Sequence, residues 1–262
     1  MTGNRPPAPV VKNASELTIR KCESLAEMQA AFALQKEVWN FSDADLIPVR
    51  MFVVASKIGG HVFGAFDKQD MVAFVLAIPG MRNGHSYLHS HMLGVRQDHR
   101  NAGLGRQMKL HQRKEALARS IELMEWTFDP LEIKNAYLNI CKLGAIARGY
   151  QVDFYGVSSS RLQGGLPTDR LLAEWQLDSP RVQAILDGRP AAAYAIEERI
   201  QVPASIYEWK ATEAGRERAL AVQLENRRKF QQAFSQGLVV LDFVRDAEGN
   251  GIFELGPLTI TE

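Results

Sequence analysis

The chain has 262 residues, 46% hydrophobic and 23% charged, a balance that suits a soluble globular protein of one domain with a sizeable appendage. A formal net charge of +1 gives no global attraction to nucleic acid or to an anionic membrane, and two distant cysteines, Cys22 and Cys141, make neither a disulfide framework nor a metal site. No apolar run approaches the ~20 residues of a membrane helix, and residues 1–14, with Pro6, Pro7 and Pro9, lack a signal-peptide core. These residues read as a mobile arm, and the expected location is the cytoplasm.

Leu17 to Cys22 is a strand candidate. Ser24 followed by Glu27 forms a capping box, and Leu25, Met28, Phe32, Gln35 and Trp39 recur at helical spacing, so the pattern predicts a helix over Ser24–Asn40. A second helix is expected from Pro48 to Lys57. After Gly59-Gly60 the period changes to three short β-branched or aromatic runs, His61–Asp67, Met71–Pro79 and Ser86–Val95, which read as an antiparallel meander. Helical spacing returns over Gly103–Ile121, followed by a strand at Leu123–Asp129, a helix over Ile133–Arg148 and a strand at Gln151–Ser158.

This order predicts an α/β domain over residues 15–160 with a mixed, largely antiparallel sheet between helices. Residues 161–262 read as a C-terminal α+β extension, an acceptor-site or dimer-contact region. Within it a strand is expected at Arg170–Leu177, a short helix at Ser179–Asp187 and a long polar helix at Thr212–Gln236. Gly237 stops that helix, and a hairpin of Leu238–Arg245 with Ile252–Leu255 follows.

The sharpest motif is Leu93-Gly94-Val95 followed by Arg100-Asn101-Ala102-Gly103-Leu104-Gly105-Arg106. A strand ends, a polar loop crosses, and a helix starts at two glycines. The first-turn N–H groups of a helix lack intrahelical partners, and the helix dipole makes that end an anion site. Gly103 and Gly105 let a bulky phosphate approach the backbone, while Arg100, Arg106 and Lys109 supply positive charge. The spacing is neither that of a Walker loop nor of a Rossmann turn.

Arg100-x-x-Gly103-x-Gly105 behind a Leu-Gly-Val strand end resembles the acyl-CoA-binding motif of the GNAT superfamily, the Gcn5-related N-acyltransferases. The resemblance covers about three-fifths of the chain and implies the three-layer acyl-CoA N-acyltransferase fold. It implies acetyl-CoA or another acyl-CoA as co-substrate, with the Asn101–Arg106 backbone on the pyrophosphate. The pantetheine arm would lie in a splay between the Ser86–Val95 and Leu123–Asp129 strands, and Asn135 matches a position that hydrogen-bonds the arm. The run Trp126-Thr127-Phe128-Asp129-Pro130, with Asn135-Ala136 and Lys142-Leu143-Gly144-Ala145, is similar to a bacterial subgroup associated with acylation, including succinylation, of amino acids.

Acyl transfer to an amine needs a base, an oxyanion donor and an acid for the thiolate. His89 and His91 share one face of a strand and are base or water-relay candidates; a metal site would need a third ligand that is not evident nearby, and either histidine could equally be a packed core residue. Many relatives place a tyrosine acid four residues before a Gly-aromatic pair. Taking Gly149-Tyr150 as that pair puts Ala145 there, which leaves Tyr150 or Tyr155 as substitutes. Glu125 and Asp129 are further acid, base or ammonium-binding candidates. The expected protein is a direct-attack N-acyltransferase acting on a small amine such as an amino acid, with neither nucleic-acid nor membrane partners and a homodimer compatible with its polar C-terminal helix. The alternative is a non-catalytic acyl-CoA-binding or regulatory module.

Overall fold

The structure is a computed structural model and describes residues 17–258, so the expected N-terminal arm lies outside the described residues. Strand β1 (Thr18–Lys21) leads into helix α1 (Leu25–Trp39), whose start is closed by the expected capping box. The Glu27 N–H donates to Ser24 Oγ at 3.2 Å, and the Ser24 N–H donates to Glu27 Oε2 at 3.2 Å. Helix α1 ends at Asn40 in the left-handed region, and α2 (Val49–Lys57) begins directly after Pro48. Buried Gln35 ties the connection between them, exchanging two 3.0 Å hydrogen bonds with the Ile47 backbone.

Strands β2 (His61–Asp67), β3 (Asp70–Arg82) and β4 (His85–Val95) form the expected meander. Strand β3 runs on through Pro79-Gly80, and its turn into β4 is Asn83-Gly84, both at positive φ, the pairing that a tight hairpin favours. Helix α3 (Leu104–Ala118) then crosses over to β5 (Leu123–Phe128), which runs parallel to β4.

Past β5 the boundaries depart from the expected ones. Helix α4 (Ile133–Tyr137) continues only as a π-helical turn over Leu138–Lys142. The Leu143 N–H reaches back to the Leu138 carbonyl at 3.0 Å, and Gly144 at φ 80° ends the helix. Strand β6 (Ile146–Gln151) therefore replaces what reads as the last helical turn, and Gln151–Ser158 is not a strand. Ile146-Ala147 fits either period; only the glycine turn decides. Residues 152–169 form a loop whose polar groups satisfy one another: Asp153 Oδ1 accepts from the Thr168 N–H at 3.0 Å, and Asp169 Oδ1 accepts from the Asp153 N–H at 3.0 Å.

Strand β7 (Arg170–Gln176) inserts antiparallel between β5 and β6. The sheet thus does not divide at residue 160: a strand beyond that boundary completes its middle. Helix α5 (Pro180–Leu186), capped by Ser179, and helix α7 (Glu213–Ser235) match expectation, whereas strand β8 (Glu198–Val202) and helix α6 (Ile206–Ala211) were not expected. Strands β9 (Leu238–Arg245) and β10 (Gly251–Pro257) form the hairpin.

Among the described residues one ten-stranded sheet results, in the order β1-β2-β3-β4-β5-β7-β6-β9-β10-β8. Helices α1 and α2 pack on one face through Met28, Leu34, Phe52, Phe74 and Leu76. Helices α3, α4 and α7 cover the other, where Trp126, Trp175, Ile140 and Phe230 belong to one continuous core. Trp175 is fully buried, with its indole N–H satisfied by the Leu143 carbonyl at 2.6 Å.

Candidate active site

The loop from Arg96 to Gly103 is held by its own side chains. The carboxylate of Asp98 accepts from Arg96 Nε at 2.9 Å and pairs with His99 Nδ1 at 2.7 Å, and the Arg96 guanidinium holds the Asp98 carboxyl well below the usual range. Asn101 and Gly103 then adopt positive φ, 64° and 80°, and α3 starts at Leu104. No side chain caps this helix and its first turn carries no acidic residue, so no side chain meets the partial positive charge of that end.

The two glycines serve different ends. A Cβ on Gly103 would meet open space, so that position is glycine for its left-handed φ. A Cβ on Gly105 would make ordinary contacts at 3.7 Å to Leu93 and 3.9 Å to Leu138, so nothing within the chain demands a glycine there. Arg100 does more holding than expected: its Nε donates to the Val95 carbonyl at 2.9 Å and its Nη2 to the Val38 carbonyl at 3.3 Å, tying the loop to α1. Arg106 Nε donates to the Lys142 carbonyl at 3.3 Å, bridging α3 to the end of the π turn. Lys109 contradicts its expected place. It is 3% exposed and lies beneath the sheet, not at the loop surface.

Strands β4 and β5 are joined at Leu88↔Met124 and His89↔Glu125 and separate beyond that pair, producing the expected splay. Helix α3's N-terminus follows the diverging end of β4, and Asn135 is exposed in the first turn of α4. Beside the fork the β3–β4 register shifts between Leu76↔Met92 and Ala77↔Ser90, so His91 is an extra residue in β4, a bulge that leaves one residue outside the ladder.

His89 and His91 come together, with ring centroids 6.0 Å apart, and the His91 ring stands 6.3 Å from that of Tyr155. The Tyr155 hydroxyl shares a 2.8 Å hydrogen bond with Thr127 Oγ1 on β5. The fold therefore gathers His89, His91 and Tyr155 at one fork, and adds Thr127. Burial pushes the His89 imidazole down to about 4, helped by His91 and Lys109, and burial lowers His91 as well. Both rings are held toward the neutral form, which a proton acceptor needs.

Glu125, across from His89, is 2% exposed and paired with Arg82. Burial raises its carboxyl; Arg82 opposes the rise and Glu174 adds to it. Glu174 in turn holds Arg82 Nη1 at 3.3 Å and Arg148 Nε at 2.8 Å. This four-residue network was not evident in the sequence, because Glu174 meets Glu125 only through the β5–β7 register. Asp129 is committed elsewhere, to Lys210 Nζ at 2.9 Å. Tyr150 is a packing residue, stacked on Phe230 and bonded to Asp169 at 2.6 Å. Among the described residues no group of three or more His, Cys, Asp and Glu side chains is placed to hold a metal, and no helix is long and apolar enough to cross a membrane.

A parallel pair that forks after two pairings, fed by an uncapped helix and followed by an antiparallel strand inserted beside β5, is a specific topology. The chain is similar in fold to YncA of Salmonella typhimurium, solved with its cofactor acetyl-CoA: 16% identity, TM-score 0.50, covering 63% of this chain and 95% of that one. The protein has the acyl-CoA N-acyltransferase fold of the GNAT superfamily. It is also similar to the ribosomal-protein-S18-alanine N-acetyltransferase of Escherichia coli (16% identity, TM-score 0.48, covering 62% of this chain and 95% of that one). A GNAT acetyltransferase of Streptococcus pneumoniae gives 18% identity and TM-score 0.47, covering 61% and 98%. No protein-family model matches the chain, and no curated protein matches it in sequence. The GNAT fold accounts for rather more than three-fifths of the chain; strands β9, β10 and β8 extend its sheet from the β6 edge.

Proposed function

We propose that the protein is an acyl-CoA-dependent N-acyltransferase acting on a small amine. The observation that carries the reading is the fork between β4 and β5, open beside a helix N-terminus that no side chain caps. The backbone from Asn101 to Arg106 would hold the pyrophosphate, and the side-chain-free Gly105 leaves the room a phosphate needs. The pantetheine arm would run along Leu93, Gly94 and Val95 into the fork, with Asn135 within the α4 turn that borders it.

At the fork, His89 or His91 would take a proton from the acceptor ammonium, directly or through a water. The freed amine attacks the thioester carbonyl, and backbone N–H at the His91 bulge faces the oxyanion. Tyr155 and Thr127 would orient the acceptor. The Arg82–Glu125–Glu174–Arg148 network offers both charges to a zwitterion, which supports an amino acid as acceptor. Acetyl or succinyl transfer is compatible with this site, and residues 161–262 would border the acceptor side.

A second reading, an acyl-CoA-binding module without turnover, draws on one observation: the position where relatives carry an acidic tyrosine is Ala145, fully buried. Calorimetric titration with acetyl-CoA and succinyl-CoA, coupled to thiol release over a panel of L- and D-amino acids, polyamines and aminoglycosides, separates the two. Binding with release on an amino acid is the expected result. Binding without release on any acceptor would establish the module, and the absence of binding would overturn both.

A further inference from the structure

The deepest cation beside the fork is one that the proposed mechanism leaves unused. Lys109 projects from the second α3 turn and donates from Nζ to Ser90 Oγ at 2.7 Å, while the same nitrogen stands 3.7 Å from the centroid of the Trp126 ring. Ser90 and Trp126 are the residues immediately after His89 and Glu125, the last pair that joins β4 to β5. The amine therefore sits in the crotch of the fork, with one neighbour on each diverging strand.

Its surroundings are polar but uncharged. The Ser90 hydroxyl donates onward to Gln112 Oε1 at 3.1 Å, and Gln112 Nε2, also buried, has no partner. Among the described residues no carboxylate accompanies Lys109, and burial alone lowers its pKa well below the ordinary lysine value. An ammonium buried without a counter-ion is costly, so it readily surrenders a proton to an anion formed beside it.

Acyl transfer forms such an anion. As the acceptor nitrogen bonds to the acyl carbon, the carbon–sulfur bond breaks and its electron pair goes to sulfur. Ala145, in the same core cluster as Trp126, has nothing to protonate it. Tyr155 is on the histidine side with its hydroxyl tied to Thr127. Resting on the acyltransferase reading above, we propose that Lys109 is the general acid that protonates the departing CoA thiolate. The proton passes from Nζ to sulfur, CoA leaves as the thiol, and the neutral amine regains a proton through Ser90 from the one the acceptor lost. The charged and titratable groups around it are few: His89, the residue before Ser90 on β4, lies within range of its charge, β5 presents the Trp126 ring, and Arg106 and Arg113 on α3 turn to the Lys142 and Leu177 carbonyls.

The test uses the full chain and Lys109→Met, with acetyl-CoA as donor and the panel amine that the wild type uses fastest. The variant should fold, bind acetyl-CoA within about threefold of wild type by calorimetry, lose about 100-fold in kcat, and lose the alkaline limb of the kcat–pH profile. Lys109→Gln, which keeps a donor for Ser90, is measured alongside and is decisive if the methionine variant does not melt cooperatively. Turnover within about threefold of wild type with the same pH profile overturns the assignment while leaving the acyltransferase reading in place. Loss of acetyl-CoA binding in step with activity also overturns it, in favour of a structural lysine. A wild type that binds acetyl-CoA and acylates nothing overturns both.

Discussion

Gly105→Ala should move stability and acyl-CoA affinity in opposite directions. The new Cβ would lie 3.7 Å from Leu93 Cδ2 and 3.9 Å from Leu138 Cδ2, ordinary contacts that displace nothing. Gly105 is in the first turn of α3 and has no positive φ, so the substitution also removes the entropic penalty of a helical glycine. That gain is roughly 0.5–1 kcal/mol, less at a helix end, and corresponds to a rise in Tm of about 1–4 °C for a chain of this size. A phosphate seated on the first-turn N–H groups would instead meet the methyl, and a loss of tenfold in affinity corresponds to about 1.4 kcal/mol. Thermal melts without ligand and calorimetric titration with acetyl-CoA read the two effects separately. A lower Tm with unchanged acetyl-CoA affinity would refute the assignment, because the glycine would then serve the chain and not a ligand. Gly103→Ala is the control: open space surrounds its Cβ, but φ 80° makes the change cost about 1–2 kcal/mol, so it should lower both stability and affinity.

His89→Ala should reduce turnover more at pH 7 than at pH 9, where the acceptor supplies its own free amine; equal losses at both would argue against a base. Acidification should weaken the fold between about pH 6.5 and pH 4, because buried His61 and half-buried His89 are both pushed down to about 4 and the unfolded chain binds the protons they refuse. Each histidine contributes at most about 3 kcal/mol over that window, and the raised carboxyls of Glu125 and Glu132 oppose it, so urea melts at pH 7 and pH 5 should show a net loss at pH 5. Equal stability at the two values would contradict the burial of these rings. Lys210→Met leaves Asp129 and Glu132 without the cation they share at 2.9 and 3.0 Å, and should cost about 3–5 kcal/mol by denaturant melts. A loss below about 1 kcal/mol would show that α6 does not clamp the start of α4.

The phosphate loop and the elements around it were legible because their determinants are local. Ser24 and Glu27 form a cap within one turn, Asn83-Gly84 sets a hairpin, and the glycine at Gly103 meets a φ that its own backbone requires. His89 and His91 are two apart in a strand, so alternation puts them on one face, up to the bulge that sets His91 outside the ladder. The same locality explains the misplacements. Ile146-Ala147 satisfies a helix or a strand, and the choice falls to Gly144, where a Cβ would approach Val182 Cα to 3.2 Å, a contact supplied by the later helix α5.

What only the tertiary structure decided is whatever depends on strands meeting far along the chain. Strand β7 lies beyond an apparent boundary yet fills the sheet between β5 and β6, because hydrogen-bond ladders and not chain order close a sheet. Glu125 and Glu174 become neighbours through that register, and Tyr155 reaches Thr127 because the 152–169 loop folds back on Asp153 and Asp169. Lys109 is the clearest case. Read along α3 it is one more cation beside a phosphate loop; in the fold it is buried in the fork of β4 and β5, where helix rotation and the divergence of two strands place it.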